Sequence, residues 1–187
     1  MLPNALPLLP IRLAVSKARE HDLANAAQTD PLTGALNRRG LYAAFDQLMD
    51  RQPRTPGCIA LFDLDHFKRV NDQYGHATGD DVLRIFVELL SSTVRGSDIV
   101  ARLGGEEFAV LLIGADLEQA QSVCDRVRVR MAALKMTARN GHELTATVSA
   151  GLAVIERGTE LAESMEAADA ALYCAKETGR NRLAIAA

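Results

Sequence analysis

Carboxylates at the ends of apolar runs mark where this chain could do chemistry. The stretch "GCIALFDLD" closes a continuous apolar run with acid at Asp63, and "RLGGEEFAVLL" sets Glu106 and Glu107 directly behind two glycines. Hard divalent cations take oxygen ligands, and Mg2+ in particular combines one or two carboxylates with substrate phosphates. Gly104 and Gly105 suit a tight turn and the close approach of a phosphate. On a helical reading Lys176 and Arg180, four residues apart, project from one face and suit a clamp on a polyphosphate. Each group has a plain alternative as well. A strand-end acid is often a turn residue, a Glu pair in a hairpin is often solvated, and a basic pair four apart is often a solvated helix face. Asp65 reads as the N-cap of the next helix.

The elements that must position these groups follow from hydrophobic period and turn residues. From Pro10 to residue 28 no breaker interrupts a run of helix formers, although its apolar positions make only an untidy stripe. "TDPLTGALN" breaks that helix, and "RRGLYAAFDQLMDRQ" resumes helical spacing with Leu41, Phe45, Leu48 and Met49. "GCIALFDLD" suits a strand buried on both faces. "GDDVLRIFVELLSSTVR" is an amphipathic helix, and "DIVARL" and "EFAVLLI" flank the Gly-Gly turn as a hairpin. Residues 116 to 136 form another helix, "ELTATVSAGLAVI" a strand or strand pair, and "LAESMEAADAALYCAKETG" a late helix with Gly179 as its C-terminal signal. "RLAIA" is a last short strand. The order is helix, then β–α–α–β–β–α–β–α–β, which fits an α/β fold: a central mixed sheet with helices packed on it.

Composition narrows the function classes. A chain of 187 residues with 48% apolar and 24% charged content is an ordinary globular domain, with room for a leading helix. A net charge of −3 gives no reason to expect a nucleic acid polymer as partner, so a polyanionic ligand must be held by a few local Lys and Arg. Cys58, Cys124 and Cys174 match neither a disulfide framework nor metal-ligand spacing and read as small buried hydrophobes. No apolar run approaches the ~18 residues of a membrane span. Pro3, Pro7 and Pro10, without a basic leading segment, argue against a signal peptide, so the expected location is cytoplasmic.

Five segments in order resemble the GGDEF family of diguanylate cyclases, here in a GGEEF form. They are "TDPLTGALNRR", "FDLDHFKRVND", "GHATGDDVL", "RLGGEEF" and "YCAKETGRNR", and the match covers about residues 29 to 185. Ala35 stands where the family usually carries Leu. The organisation expected is a linker or signalling helix over 1–28 and the cyclase domain over 29–187.

The resemblance implies a five-stranded central mixed sheet flanked by helices, related to nucleotide cyclase and polymerase palms. It implies condensation of two GTP into cyclic di-GMP with release of two pyrophosphates. Asp63, Glu106 and the carbonyl of Leu64 would be ligands of Mg2+, or of Mn2+ in its place. Glu106 would also accept the 3′-hydroxyl proton, with Glu107 in a less direct supporting role. Asn71 and Asp80 would read guanine: an ionised Asp80 is acceptor-only and matches the N1–H and 2-amino donors. Lys68, Lys176 and Arg180 would neutralise the triphosphate, and Leu32 would pack beside the base. Arg102 either reaches a phosphate or pairs with a neighbouring acid, and His76 is read as structural. "RGSD" resembles the family's inhibitory RxxD site, with Arg95 and Asp98 holding cyclic di-GMP and Arg126 as a secondary contact, although Arg128 and Arg130 compete for that role. One set of residues per chain and a two-fold symmetric product imply a homodimer, with an upstream sensor domain in a longer protein. The runner-up is a catalytically silent cyclic di-GMP receptor or a GTP-binding regulatory domain.

Overall fold

The computed structural model describes residues 28–51, 57–156 and 158–187. The expected leading helix, within residues 1–28, lies outside the described residues except for its last position. Eight consecutive buried residues make strand β2 (Gly57–Leu64), as the continuous apolar run requires. It is central, paired antiparallel with β4 (Glu107–Ile113) on one side and with β7 (Val148–Ile155) on the other. Beyond β4 lie β3 (Ile99–Gly104) and the two-residue β1 (Leu36–Asn37), and beyond β7 lies β8 (Leu183–Ile185). The β1–β3 and β7–β8 pairs are parallel, so the sheet is mixed as expected.

The sheet has six strands, not five. The addition is β1, which comes from the turn segment at the chain's entry. Asp30 accepts from the Thr33 backbone N–H at 2.9 Å and from its hydroxyl, and this local turn delivers Leu36 and Asn37 alongside Ala101 and Arg102. The "ELTATVSAGLAVI" stretch divides into β6 (Glu143–Leu144), which pairs with β5 (Met136–Thr137) in a separate hairpin, and β7.

Alternation along β2 divides the core in two. Cys58, Ala60, Phe62 and Leu64 face α2 (Phe67–Tyr74), α3 (His76–Thr93) and α4 (Leu117–Ala133). Ile59 and Leu61 face α1 (Arg38–Arg51) and α5 (Leu161–Glu177). On the first face Phe62, Phe86 and Phe108 meet edge to face, with centroids 6.2 and 5.0 Å apart. Such pairs add about 0.5–1.5 kcal/mol each beyond their buried area. Helix α4 starts at a capping box: Asp116 accepts from the Gln119 N–H at 2.8 Å, and Gln119 reaches back to the Asp116 N–H. Cys58 and Cys124 are buried as expected, and burial pushes the Cys58 thiol up to about 11. Cys174 departs from the expectation and lies exposed on α5.

Helix α5 lies very close to β7. A Cβ at Gly151 would overlap the backbone of α5 at the Ala168 carbonyl and the Leu172 nitrogen. Backbone cannot yield as a side-chain tip can, so Gly151→Ala should destabilise the domain by about 3 kcal/mol, the upper end for overpacking. The check is a urea titration, with a lower midpoint at an unchanged slope. An unshifted midpoint means that α5 can lift off the sheet freely.

Candidate functional site

The end of β2 gathers the acidic residues. Asp63 lies opposite Glu107 on β4 and Ser149 on β7, and directly opposed residues share a face, here the face covered by α5. A register shift between Arg102 and Gly104 opens the β3–β4 turn, where Gly104 and Gly105 take φ of 146° and 52°. The Leu64 N–H donates to the Glu106 carbonyl at 3.4 Å, which draws the turn to the strand end. Asp63, the Leu64 backbone and Glu106 are thereby brought together.

Arg102 is resolved between its two readings. Its guanidinium donates to both Asp30 oxygens at 2.9 and 3.1 Å and twice to the Gly105 carbonyl, at 3.0 and 2.7 Å. It pins the glycine turn to the entry segment. Burial works against the Asp30 carboxylate, but hydrogen bonds from Thr33 and Arg102 more than offset it and hold its pKa below the ordinary value.

Lys176 Nζ lies 2.7 Å from Asp63 Oδ2. Even so, the Asp63 pKa is raised. Burial is the main cause, and the charges of Glu106 and Glu107 add to it, while the Lys176 hydrogen bond and charge oppose it. This end of the sheet therefore holds more negative charge than its lysine balances. Among the described residues no three carboxylate, thiol or imidazole side chains converge into a metal site by themselves. Two carboxylates and a main-chain carbonyl are all-oxygen donors, the set Mg2+ takes when phosphates complete its shell. The residues fit such an ion.

Asn71 and Asp80 lie on successive helices. Asn71 is on α2 and Asp80 in the first turns of α3, separated by Gly75 at φ 84°. A Cβ at Gly79 would overlap the Asn71 carboxamide oxygen, so the glycine leaves the room that this side chain occupies. Leu32 packs at the edge of the adjoining core, and its carbonyl accepts from Arg84 Nε at 3.3 Å. Arg84 pairs with Asp81, which Arg139 grips twice, at 2.7 and 3.0 Å. Sequence reading missed this network, whose only local signal is the i,i+3 spacing of Asp81 and Arg84. Lys68 is exposed on α2, and His76 is exposed as the first residue of α3.

Two expectations about this end need correction. Arg180 is not on the late helix, which stops at Glu177. The Gly179 N–H donates to the Lys176 carbonyl at 3.5 Å and the Arg180 N–H to the Ala175 carbonyl at 3.0 Å, the paired bonds of a Schellman ending. Arg180 and Asn181 then take φ of 60° and 45°, which costs an ordinary L-residue about 1–2 kcal/mol. Asp65 does not cap α2. His66 occupies the cap position with φ 56° and no side-chain bond, while Asp65 is buried and accepts from Thr147, Ser149 and the Asn181 N–H.

A groove lies at the other end of β4. Arg95, Asp98 and Arg126 line one groove of about 320 Å³, floored by Leu112 and Ala115. Asp98 accepts from the Arg95 N–H at 2.8 Å and the Ile113 N–H at 3.1 Å, so its carboxylate already holds the turn. Arg126 donates to the Thr93 carbonyl from this groove, whereas Arg128 reaches Asn181 and Arg130 binds the Ser92 and Thr93 hydroxyls. A larger cavity of about 470 Å³ between α1 and α5 is lined by Glu107, Arg38 and Asp169.

The sheet order and the carboxylate–lysine cluster at its end define a palm-like mixed-sheet α/β domain. The chain belongs to the GGDEF family, whose model, "Diguanylate cyclase, GGDEF domain", matches residues 27–182. It is 44% identical over 168 residues to diguanylate cyclase DgcP of Pseudomonas aeruginosa, covering 88% of this chain and 25% of that protein. It is 38% identical to the probable diguanylate cyclase DgcT of Escherichia coli, covering 86% of this chain and 36% of that protein. The chain thus spans only about a quarter to a third of these curated relatives. Among solved structures, the GGDEF domain of DgcB from Caulobacter crescentus in complex with c-di-GMP superposes with a TM-score of 0.77 at 34% identity, covering 86% of this chain and 96% of that one. The diguanylate cyclase SiaD of P. aeruginosa, solved with its activator SiaC, gives 0.80 at 33%, covering 96% of this chain and 69% of that one.

A raised carboxyl pKa means that the fold favours the protonated form, so ionising Asp63 above that pKa costs stability. In metal-free buffer Asp63→Asn should therefore melt above the parent at pH 7 to 8, with the gap closing as pH falls through the carboxylate range. Thermal unfolding across pH checks this. A variant that melts lower at neutral pH means that the Lys176 pair outweighs burial.

Proposed function

We propose that this chain is the catalytic domain of a diguanylate cyclase, condensing two GTP into cyclic di-GMP and two pyrophosphates. The observation that carries the reading is the Asp63–Lys176 pair beside Glu106 at the end of β2, where one lysine faces an excess of carboxylate. In this reading Asp80 and Asn71 hold the guanine edge, with Leu32 beside the base. Lys68, Lys176 and Arg180 bind the triphosphate, for which Lys176 must leave Asp63. Asp63, Glu106 and the Leu64 carbonyl would hold Mg2+, with Mn2+ as a substitute. That ion would polarise the α-phosphate and balance charge on the leaving pyrophosphate.

The 3′-oxygen of each GTP forms its bond to the α-phosphorus of the other as the bond to the pyrophosphate oxygen breaks, and Glu106 takes the 3′-hydroxyl proton. Glu107, opposite Asp63, supports the metal and phosphate site less directly. One domain holds one GTP, so two domains must meet face to face as a homodimer. Cyclic di-GMP in the groove of Arg95, Asp98 and Arg126 would hold the domains apart as feedback inhibition. The GTP requirement puts the domain in the cytoplasm, under the control of an upstream sensor domain in the longer protein. The convergence of Arg95, Asp98 and Arg126 supports the alternative of a cyclic di-GMP receptor without turnover.

Incubating the purified chain with GTP and Mg2+ over a range of protein concentrations tests the reading. Cyclic di-GMP should form with specific activity rising with concentration, stop on chelation, and fall about 100-fold or more in Glu106→Ala. Arg95→Ala should let product accumulate further before the rate declines. No product from GTP at any concentration, with cyclic di-GMP still bound tightly, rejects the cyclase in favour of the receptor.

A further inference from the structure

We propose that Asp65 is a positioning residue that sets Arg180 against the phosphates through the backbone of Asn181, an inference that rests on the cyclase reading above. Asp65 is 5% exposed, and its oxygens accept from Thr147 Oγ1 at 2.7 Å, Ser149 Oγ at 2.6 Å and the Asn181 N–H at 3.0 Å. Its own N–H donates to the Thr147 carbonyl at 2.9 Å. The two hydroxyls, from β7 and the residue preceding it, orient the carboxylate. The third bond crosses to a loop 116 residues further along the chain.

That loop is where backbone conformation is least favourable. Arg180 and Asn181 are consecutive, neither is glycine, and both have positive φ. Asn tolerates this region and Arg does so poorly. Such a conformation persists only where the surroundings over-determine it. Here the Arg180 N–H is tied to the Ala175 carbonyl, the Asn181 N–H to Asp65, and the Arg182 carbonyl accepts from the Ala150 N–H at 2.8 Å. Three successive residues are held by α5, the end of β2 and β7. Asp65 lies two residues from Asp63, so the segment that leaves the carboxylate cluster also fixes the backbone of the phosphate clamp. Asp65 touches no reactant in this arrangement and acts through Arg180.

A double-mutant cycle separates this from a purely structural role. GTP affinity and steady-state turnover are measured for Asp65→Asn, Arg180→Ala and the double variant, each checked for a cooperative melt. Asp65→Asn should raise KM and Kd for GTP about tenfold, the effect of a lost charge-assisted bond, with a smaller fall in kcat. In the Arg180→Ala background it should add less than about twofold. Should Asp65→Asn not fold, Thr147→Val removes one orienting hydroxyl at similar volume and should show a smaller rise that likewise vanishes without Arg180. Equal factors with and without Arg180, or no change in GTP affinity, overturn the proposal. A parent that binds GTP but forms no product rejects the cyclase reading while the cycle on Kd still decides this one, and a parent that binds no GTP overturns both.

Discussion

Placing charge at the end of a fully buried strand is costly unless each charge finds a partner, and the rest of this site is arranged around that requirement. Two carboxylates, Asp63 in β2 and Asp65 just after it, lie at this strand end, and they are compensated in different ways. Asp65 receives three neutral hydrogen bonds and is satisfied on both oxygens. Asp63 has one lysine, on a helix with part of its side chain in solvent, and acidic neighbours that work against it. The first arrangement is fixed, because its donors belong to the sheet and its adjoining loop. The second is exchangeable, because a flexible ammonium can leave when something more positive arrives. Close packing of α5 on β7 makes the exchangeable pair possible, since it sets the height at which Lys176 crosses the strand end. Gly151, without a side chain under that helix, permits the approach.

What was legible in the sequence was what depends on period and local turn chemistry. The apolar run of β2 ends in acid where burial ends, and the Gly-Gly hairpin carries Glu106 and Glu107 to the same place. What was misread depends on partners far along the chain. Asp65 looks like a helix cap because it precedes one, yet its partners lie 82, 84 and 116 residues away. Arg102 could not be assigned because its partner, Asp30, is 72 residues distant. Arg180 was misplaced for a different reason. The i,i+4 spacing was carried through Gly179, the residue that signals the helix end, and a same-face argument does not survive a Schellman turn. The strand at the sheet edge escaped notice because two residues carry no period at all.

The groove of Arg95 and Asp98 shows the limit of a local reading from the other direction. Four residues, "RGSD", form a turn that any chain could contain, and only the family resemblance singled them out. The structure gives them a local occupation as well: Asp98 closes the turn by accepting from the Arg95 N–H and secures the end of β4 through Ile113. A ligand that engages Asp98 therefore meets a carboxylate already half committed to the fold. β4 spans seven residues from Glu107 to Ile113, which sets its two ends about 20 Å apart at ordinary strand rise. The groove and the carboxylate cluster thus lie at opposite ends of one strand.

The same exchangeable pair explains how a site with surplus negative charge remains compatible with folding. Lys176 partly balances Asp63 while no other cation is near, so the chain folds without depending on a ligand. On the cyclase reading, a divalent ion that takes over Asp63 frees the ammonium, and a freed ammonium next to Arg180 is what a triphosphate needs. Ion and nucleotide then favour each other's binding by linkage, since each removes a cost that the other would otherwise meet. Arg180, fixed by its backbone, needs no such release. On that reading one phosphate cation moves and the other is held, and the difference between them traces back to how Asp63 and Asp65 are satisfied.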